Sequence, residues 1–325
     1  MHVLVVGGAG YIGSVTVDQL IGAGHEVTVI DSLISGHLTA VHPDVEFVNA
    51  DIRDEEALTR LFATHSFDAV INYGGYIQAG ESVTHPGRYF ANNISGAITL
   101  INTMLTYDVT RLVFSSSAAV YGEPAVIPIT EDQPINPVNP YGETKAAVER
   151  LLPWYEQASG LRWVALRYFN AAGAGGRRGE DHRPETHLIP IVLQVALGQR
   201  QSVPLYGQDY PTRDGTCIRD YVHVADLASA HLLALGHTAS ASGAFNLGSG
   251  TGFSNREVIE AARIVTEHEI PVVEEPRRPG DPAALVASRE KAERELGWKP
   301  NYPEIEDIIA SAWEWHRNHP DGYTA

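Results

Sequence analysis

Tyr141 and Lys145 stand four residues apart in the run Tyr141-Gly142-Glu143-Thr144-Lys145. On a helix, that spacing places both side chains on one face. A phenol is a poor base at pH 7, because its reference pKa is about 10. A neighbouring ammonium favours the phenolate and lowers that value. The pair therefore reads as a proton carrier, Tyr141, tuned by Lys145. Tyr and Lys at this spacing are common on helices that do no chemistry, so the reading depends on the elements that must position them.

Those elements begin at the N-terminus. His2-Val3-Leu4-Val5-Val6 is the short apolar run of a buried parallel strand. Gly7-Gly8-Ala9-Gly10-Tyr11-Ile12-Gly13 follows at once, then a helical pattern to about Ala23, closed by Gly24. A second strand, Glu26 to Ile30, ends on Asp31. Strand, glycine loop, helix, strand and acidic residue come in the order of a dinucleotide site. The glycines let the backbone approach a pyrophosphate, and the helix N-terminus offers it free N–H groups and positive dipole. Gly7, Gly10, Tyr11, Ile12 and Gly13 are thus expected against the cofactor. Asp31 is expected to accept hydrogen bonds from the adenosine ribose and to repel a 2′-phosphate, which favours NAD over NADP.

The bulk properties narrow the function classes. The net charge of −17 repels a phosphate polymer, so no nucleic-acid partner is expected. No apolar stretch approaches the roughly 20 residues of a membrane span, and no basic leader precedes the first strand. The single cysteine, Cys217, cannot form an internal disulfide, which suits a cytoplasmic protein. The 14 histidines show no ligand spacing. His182 and His187 share one loop without a carboxylate or cysteine pattern to complete a site, so no metal is expected.

Along the chain, strands are expected at 45–49, 69–73, 112–115 and 163–168, and helices at 55–63, 89–107 and 141–158. Asn139-Pro140 supplies a cap and a first-turn proline to the last of these, and Gly160 ends it. The alternation predicts an α/β fold, a Rossmann-type doubly wound parallel sheet with a smaller mixed α/β C-terminal lobe. Residues 1–171 are read as the NAD-binding domain and 172–325 as the substrate domain. Segments near 220–248 are expected to return to the first lobe as a helix at 220–235 and a strand at 244–246.

The Gly-x-x-Gly-x-x-Gly spacing of Gly7, Gly10 and Gly13, joined to Tyr141-x-x-x-Lys145, resembles the extended branch of the short-chain dehydrogenase/reductase superfamily. Further blocks narrow this. They include Gly80-Glu81-Ser82-Val83, Asn92-Asn93, Phe114 to Gly122, Leu166 to Gly173, Asp209 to Tyr221, Pro276 to Asp281 and Glu295-Leu296-Gly297-Trp298. Together they resemble the UDP-glucose 4-epimerase family, also called UDP-galactose 4-epimerase, over nearly the whole chain.

The resemblance implies tightly held NAD, a UDP-hexose substrate and a homodimer built through helices near 92–107 and 143–158. It implies that Tyr141 takes the proton of the sugar 4-hydroxyl while hydride leaves C4, and that the 4-keto sugar turns over and is reduced on its other face. Lys145 would lower the Tyr141 pKa and contact the nicotinamide ribose, and Ser117 would contact O4. Cofactor contacts are implied for Asp51, Ile52, Asn92, Ser115 and Tyr168. Substrate contacts are implied for Asn170, His187, Leu188, Tyr206, Arg219, Arg278, Asp281 and Leu285. Ile77 departs from the family pattern, where a Lys often touches the cofactor. Leu285 stands at a gate position, and its intermediate bulk implies at least weak acceptance of N-acetylated sugars.

Other readings share parts of this pattern. A 4-epimerase of UDP-pentoses or UDP-uronates would use the same catalytic residues. A sugar-nucleotide 4,6-dehydratase needs an extra acid and base just before Val120-Tyr121-Gly122, where this chain has Ala118 and Ala119. A non-catalytic NAD-binding protein would have little reason to keep Ser117, Tyr141 and Lys145 together.

Overall fold

The computed structural model describes residues 1–278 and 281–324. Seven parallel strands form the central sheet: β1 (His2–Val6), β2 (Glu26–Asp31), β3 (Glu46–Asn49), β4 (Ala69–Asn72), β5 (Arg111–Ser115), β6 (Arg162–Tyr168) and β7 (Gly243–Leu247). Their order is β7-β6-β5-β4-β1-β2-β3. Val3, Leu4 and Val5 are wholly buried, as is Val70-Ile71 in β4. Near-continuous apolar runs are what strands covered on both faces require.

Two helical layers cover the sheet. α1 (Tyr11–Gly22) and a later helix, Val224–His237, share one apolar core with Val5, Val29, Phe245 and Trp298. On the other face, α2 (Glu55–Thr64), α3 (Gly96–Thr106) and α4 (Pro140–Ser159) enclose Leu58, Leu100, Met104, Phe114 and Leu152. The order reverses direction between β1 and β4, which opens a crevice beyond the carboxyl ends of these strands. Gly7, Asp31, Ser115 and Tyr168 end or follow β1, β2, β5 and β6, so the topology carries them to that crevice.

α4 forms as its sequence directs. Asn139 Oδ1 accepts the Gly142 N–H at 2.8 Å, Pro140 opens the first turn, and Gly160 closes the helix at φ +74°. Two expectations need correction. The helix foreseen at 89–107 begins at Pro86, and Phe90–Ser95 is wound as a π-helix before α3. The helix foreseen from Asp220 starts only at Val224, because Tyr221–His223 pairs in parallel with Asn170–Ala172. That helix, α6, lies against α1, and β7 extends the sheet beside β6.

The remaining chain builds a smaller core from α5 (Leu188–Ala196), α7 (Asn255–Thr266) and α8 (Ile305–Asn318). Ser254 and Glu257 form a reciprocal capping box at the start of α7. Strand Val203–Tyr206 pairs with Val272–Glu275, and Ile218–Arg219 pairs with both Phe253–Ser254 and Ala284–Leu285.

His223 and His231 are buried, and burial pushes both down to about 4. Their unfolded value is about 6.5, so between pH 6.5 and 4 the unfolded chain binds more protons and the fold is weakened as pH falls. Each shift corresponds to about 3 kcal/mol at the acid end. Buried Asp220 and Asp226, raised by desolvation, act in the opposite sense. The contribution of His231 is therefore read as a difference: His231→Phe is expected to flatten the decline of the thermal midpoint below pH 6.5.

Candidate active site

A cleft of about 340 Å³ runs along the carboxyl ends of the strands. Gly7, Gly10, Tyr11, Ile12 and Gly13 line one end of it. Gly7 has φ +79°, where a side chain would be strained, and a Cβ on Gly13 would lie 2.2 Å from the Gly7 carbonyl oxygen. No side chain caps the N-terminus of α1, so its first N–H groups face the loop unclaimed by a capping group. Asp31 accepts the Ala9 and Leu33 N–H groups at 3.0 and 2.9 Å, and burial raises its pKa against the pull of those bonds. A dinucleotide fits this cradle: the backbone comes close where a phosphate would sit, and a carboxylate stands one strand away. Gly13→Ala is expected to cost about 2 kcal/mol, in the overpacking range, and to lower NAD retention. Thermal unfolding and the NAD released per chain on denaturation would check both.

The same cleft is lined by Asp51, Ile52, Asn92, Ser115, Tyr141, Lys145 and Tyr168. Asp51 is gripped by Arg53 through bonds of 2.8 and 2.7 Å, which hold its carboxyl below the usual range. Asn92 donates to Asn93 Oδ1 at 3.0 Å. Asn93 in turn bonds both backbone groups of Tyr76, and donates to Thr144 Oγ1 at 3.0 Å. The π-helical segment thus ties α4 to the loop after β4. Ile77 also lines the cleft.

Tyr141 begins the first turn of α4, and its N–H donates to the buried Ser82 hydroxyl at 3.1 Å. Lys145, one turn later, donates from Nζ to the Ser115 carbonyl at 2.7 Å. The Ser115 hydroxyl bonds the Tyr168 phenol. Ser117, at the start of a short turn, accepts the Ala119 N–H at 3.1 Å and lines the cleft with Tyr141.

The electrostatics depart from the sequence expectation. Burial raises the Tyr141 pKa, and the Ser117 hydroxyl, not Lys145, is the group that opposes it. Burial also lowers Lys145, to about 8, against the pull of Glu149. In the protein alone, desolvation is therefore the largest influence on both groups.

Behind the serines lies a buried ion pair. Arg167 grips Glu149 through Nε and Nη2, at 3.0 and 2.5 Å in its shortest contacts. Ser116 donates to Glu149 Oε1 at 2.5 Å, and Arg167 Nη1 donates to the Tyr121 hydroxyl at 2.7 Å. Tyr121 donates onward to Asn246 Oδ1 at 2.7 Å. Ser116 thus points away from the cleft and into this network.

Asn170 and His187 line the cleft, and Asn170 Nδ2 donates to the Asp220 carbonyl at 2.8 Å. Leu188, Tyr206, Arg219, Arg278, Asp281 and Leu285 lie outside its lining. Leu188 opens α5 and packs on the smaller core. The others form pairs: the Arg278 guanidinium sits 3.9 Å over the Tyr206 ring, and Arg219 Nη2 lies 3.4 Å from Asp281. Leu285 is the strand partner of Arg219.

Sequence reasoning overlooked one wall of the cleft. His37 stacks on Tyr323 at 5.0 Å, and the Tyr323 N–H donates to Asp181 at 2.9 Å. No local motif marks contacts between residues so far apart in the chain. The view that no carboxylate joins His182 and His187 is also corrected. Glu180 and Glu185 converge on them, with His187 Nδ1 2.8 Å from Glu180 and 2.9 Å from Glu185.

Among the described residues, no helix is long and apolar enough to cross a membrane. Residues 3–248 match the model of the NAD dependent epimerase/dehydratase family. The UDP-glucose 4-epimerase of Halalkalibacterium halodurans is 56% identical over 100% of this chain and 98% of its own. A crystal structure of a UDP-glucose 4-epimerase superposes with a TM-score of 0.98 at 49% identity, covering 100% of both chains. The Brucella ovis UDP-glucose 4-epimerase, solved in complex with NAD, superposes at 0.93 with 45% identity over 96% of this chain and 97% of its own.

Proposed function

The chain belongs to the NAD dependent epimerase/dehydratase family, and we propose that it interconverts UDP-galactose and UDP-glucose. The observation that carries this reading is the convergence of Tyr141, Ser117 and Lys145 at a cleft whose other end is the glycine cradle. The glycine loop, Asp31 and Asn92 would hold NAD, with Lys145 and Tyr168 farther along. Bound there, NAD would supply a hydride acceptor for the sugar C4 and a hydride donor for the 4-keto sugar.

The remaining chemistry falls to the chain itself. Tyr141 accepts the 4-hydroxyl proton and gives it back after the keto sugar has turned over, and Ser117 steadies O4. The bond from Lys145 to the Ser115 carbonyl fixes the ammonium beside this proton path. Arg219 and Arg278 are assigned to the substrate diphosphate, for which planar guanidinium groups are suited. Asp281 and Tyr206 are assigned to the uridine end, and Asn170, His187, Leu188 and Leu285 to the sugar.

Ala118 and Ala119 carry no transferable proton, which disfavours a 4,6-dehydratase. A dimer through α3 and α4 is supported by their adjacency and by Trp154, 70% exposed on α4. Buried, unpaired Cys217 suits a reducing compartment.

Proton NMR of UDP-galactose mixed with the purified protein, with and without added NAD, tests the reading. UDP-glucose should appear. Folded, NAD-loaded protein that leaves UDP-galactose unchanged but converts UDP-xylose or UDP-glucuronate would move the assignment to those sugars.

A further inference from the structure

Glu180, His182, Glu185 and His187 each offer a ligand-type atom, and these four atoms lie within 4.8 Å of one another. His182 Nδ1 and His187 Nδ1 approach the same oxygen, Glu180 Oε1, at 3.0 and 2.8 Å. Glu185 Oε1 closes the set at 2.9 Å from His187 Nδ1. Both carboxylate side chains are only 5% exposed, and the ion-pair partners found for them among the described residues are these histidines alone. Two carboxylates this buried need donors or positive charge around them, and Glu185 Oε1 also accepts the Thr186 and His187 N–H groups at 2.7 Å.

Protons answer part of that demand. A divalent ion answers it more completely. Tetrahedral bonds of about 2.0–2.2 Å separate neighbouring donors by about 3.3–3.6 Å, so the close contacts here need to open by several tenths of an ångström and the widest, within 4.8 Å, to close by about an ångström. Two imidazole nitrogens and two carboxylates suit zinc or cobalt rather than magnesium or calcium, which prefer all-oxygen shells.

We propose that the Glu180–His187 loop is a four-ligand site for a zinc-type divalent cation, formed by Glu180, His182, Glu185 and His187. With four protein ligands the site is closed, which marks a structural ion rather than one that activates water. It would fasten the loop that leads into α5 to the wall of the cleft, where Glu180, His182 and His187 all contribute to the lining. The His182 ring lies 6.3 Å from that of Tyr11, so the clamp would sit beside the N-terminus of α1. Binding displaces the Nδ1 protons of both histidines and is weakened by acid.

The test uses the full-length, NAD-loaded protein, stripped with chelator, desalted and titrated with cobalt(II). The expected result is the visible absorption of tetrahedral cobalt, saturating at one equivalent, abolished by zinc and untouched by excess magnesium. Zinc should also raise the thermal midpoint by a few degrees. The double variant His182→Asn, Glu185→Gln should lose affinity by more than the roughly 10–100-fold that removal of an outer-shell partner costs. Absence of a tetrahedral band in the wild type overturns the proposal, and so does the same band at the same affinity in the folded double variant. If that variant does not fold, the wild-type titration decides alone.

Discussion

Tyr141→Phe is expected to lower the turnover of UDP-galactose by about 10²–10⁴, the range for loss of a positioned proton-transfer group. The substitution keeps the ring and removes only the hydroxyl. The helix start should survive, because its supports reach backbone atoms: Ser82 accepts the residue-141 N–H, and Asn139 accepts that of Gly142. NAD content and thermal midpoint should therefore stay close to wild type, which separates a chemical defect from a folding one. Burial raises the phenol pKa, so in the protein alone Tyr141 is protonated at neutral pH. It must shed that proton before it can take the one from the sugar 4-hydroxyl, and a cationic group bound beside it would favour that loss. The measurement is the rate of UDP-glucose formation by NMR, with released NAD as the internal control. Near-normal turnover would show that the proton leaves by another route.

The framework around the site is legible in the sequence where local chemistry dictates structure. The apolar run at 2–6 is a covered strand, the glycines of 7–13 allow a close backbone approach, and Asn139-Pro140 opens a helix. The rest has its cause in three dimensions. Nothing local in 90–95 predicts a π-turn. That segment's Asn93 is held by Tyr76 and Thr144, distant in the chain. The sequence shows a lysine one turn from a tyrosine but not the desolvation that dominates both. Glu180 and Glu185 stand beside His182 and His187 in the sequence, but spacing alone does not show that the loop folds all four side chains together.

The second large effect concerns stability and reaches the cleft through Lys145. Glu149→Ala is expected to cost roughly 3–5 kcal/mol, because it leaves the Arg167 guanidinium buried without its carboxylate. Both side chains are at most 5% exposed, so water cannot make good the loss. Ser116 would be orphaned as well, and Tyr121 would remain as the chief side-chain partner of Arg167. Replacing the pair together, as Glu149→Leu with Arg167→Met, should recover much of the stability, since apolar pairs of similar volume often equal buried ion pairs. The milder Glu149→Gln isolates the functional consequence. Glu149 is the group that raises Lys145 against burial, which leaves it at about 8. Lys145 is charged below that value and loses its charge as pH rises through it. Without the Glu149 charge the loss begins at lower pH, so the alkaline fall of turnover should shift to lower pH in Glu149→Gln. Thermal melts report the first effect and pH–rate profiles the second. A destabilised variant whose alkaline limb has not moved would confine Glu149 to holding Arg167, and would separate the framework beneath the serines from the proton chemistry above them.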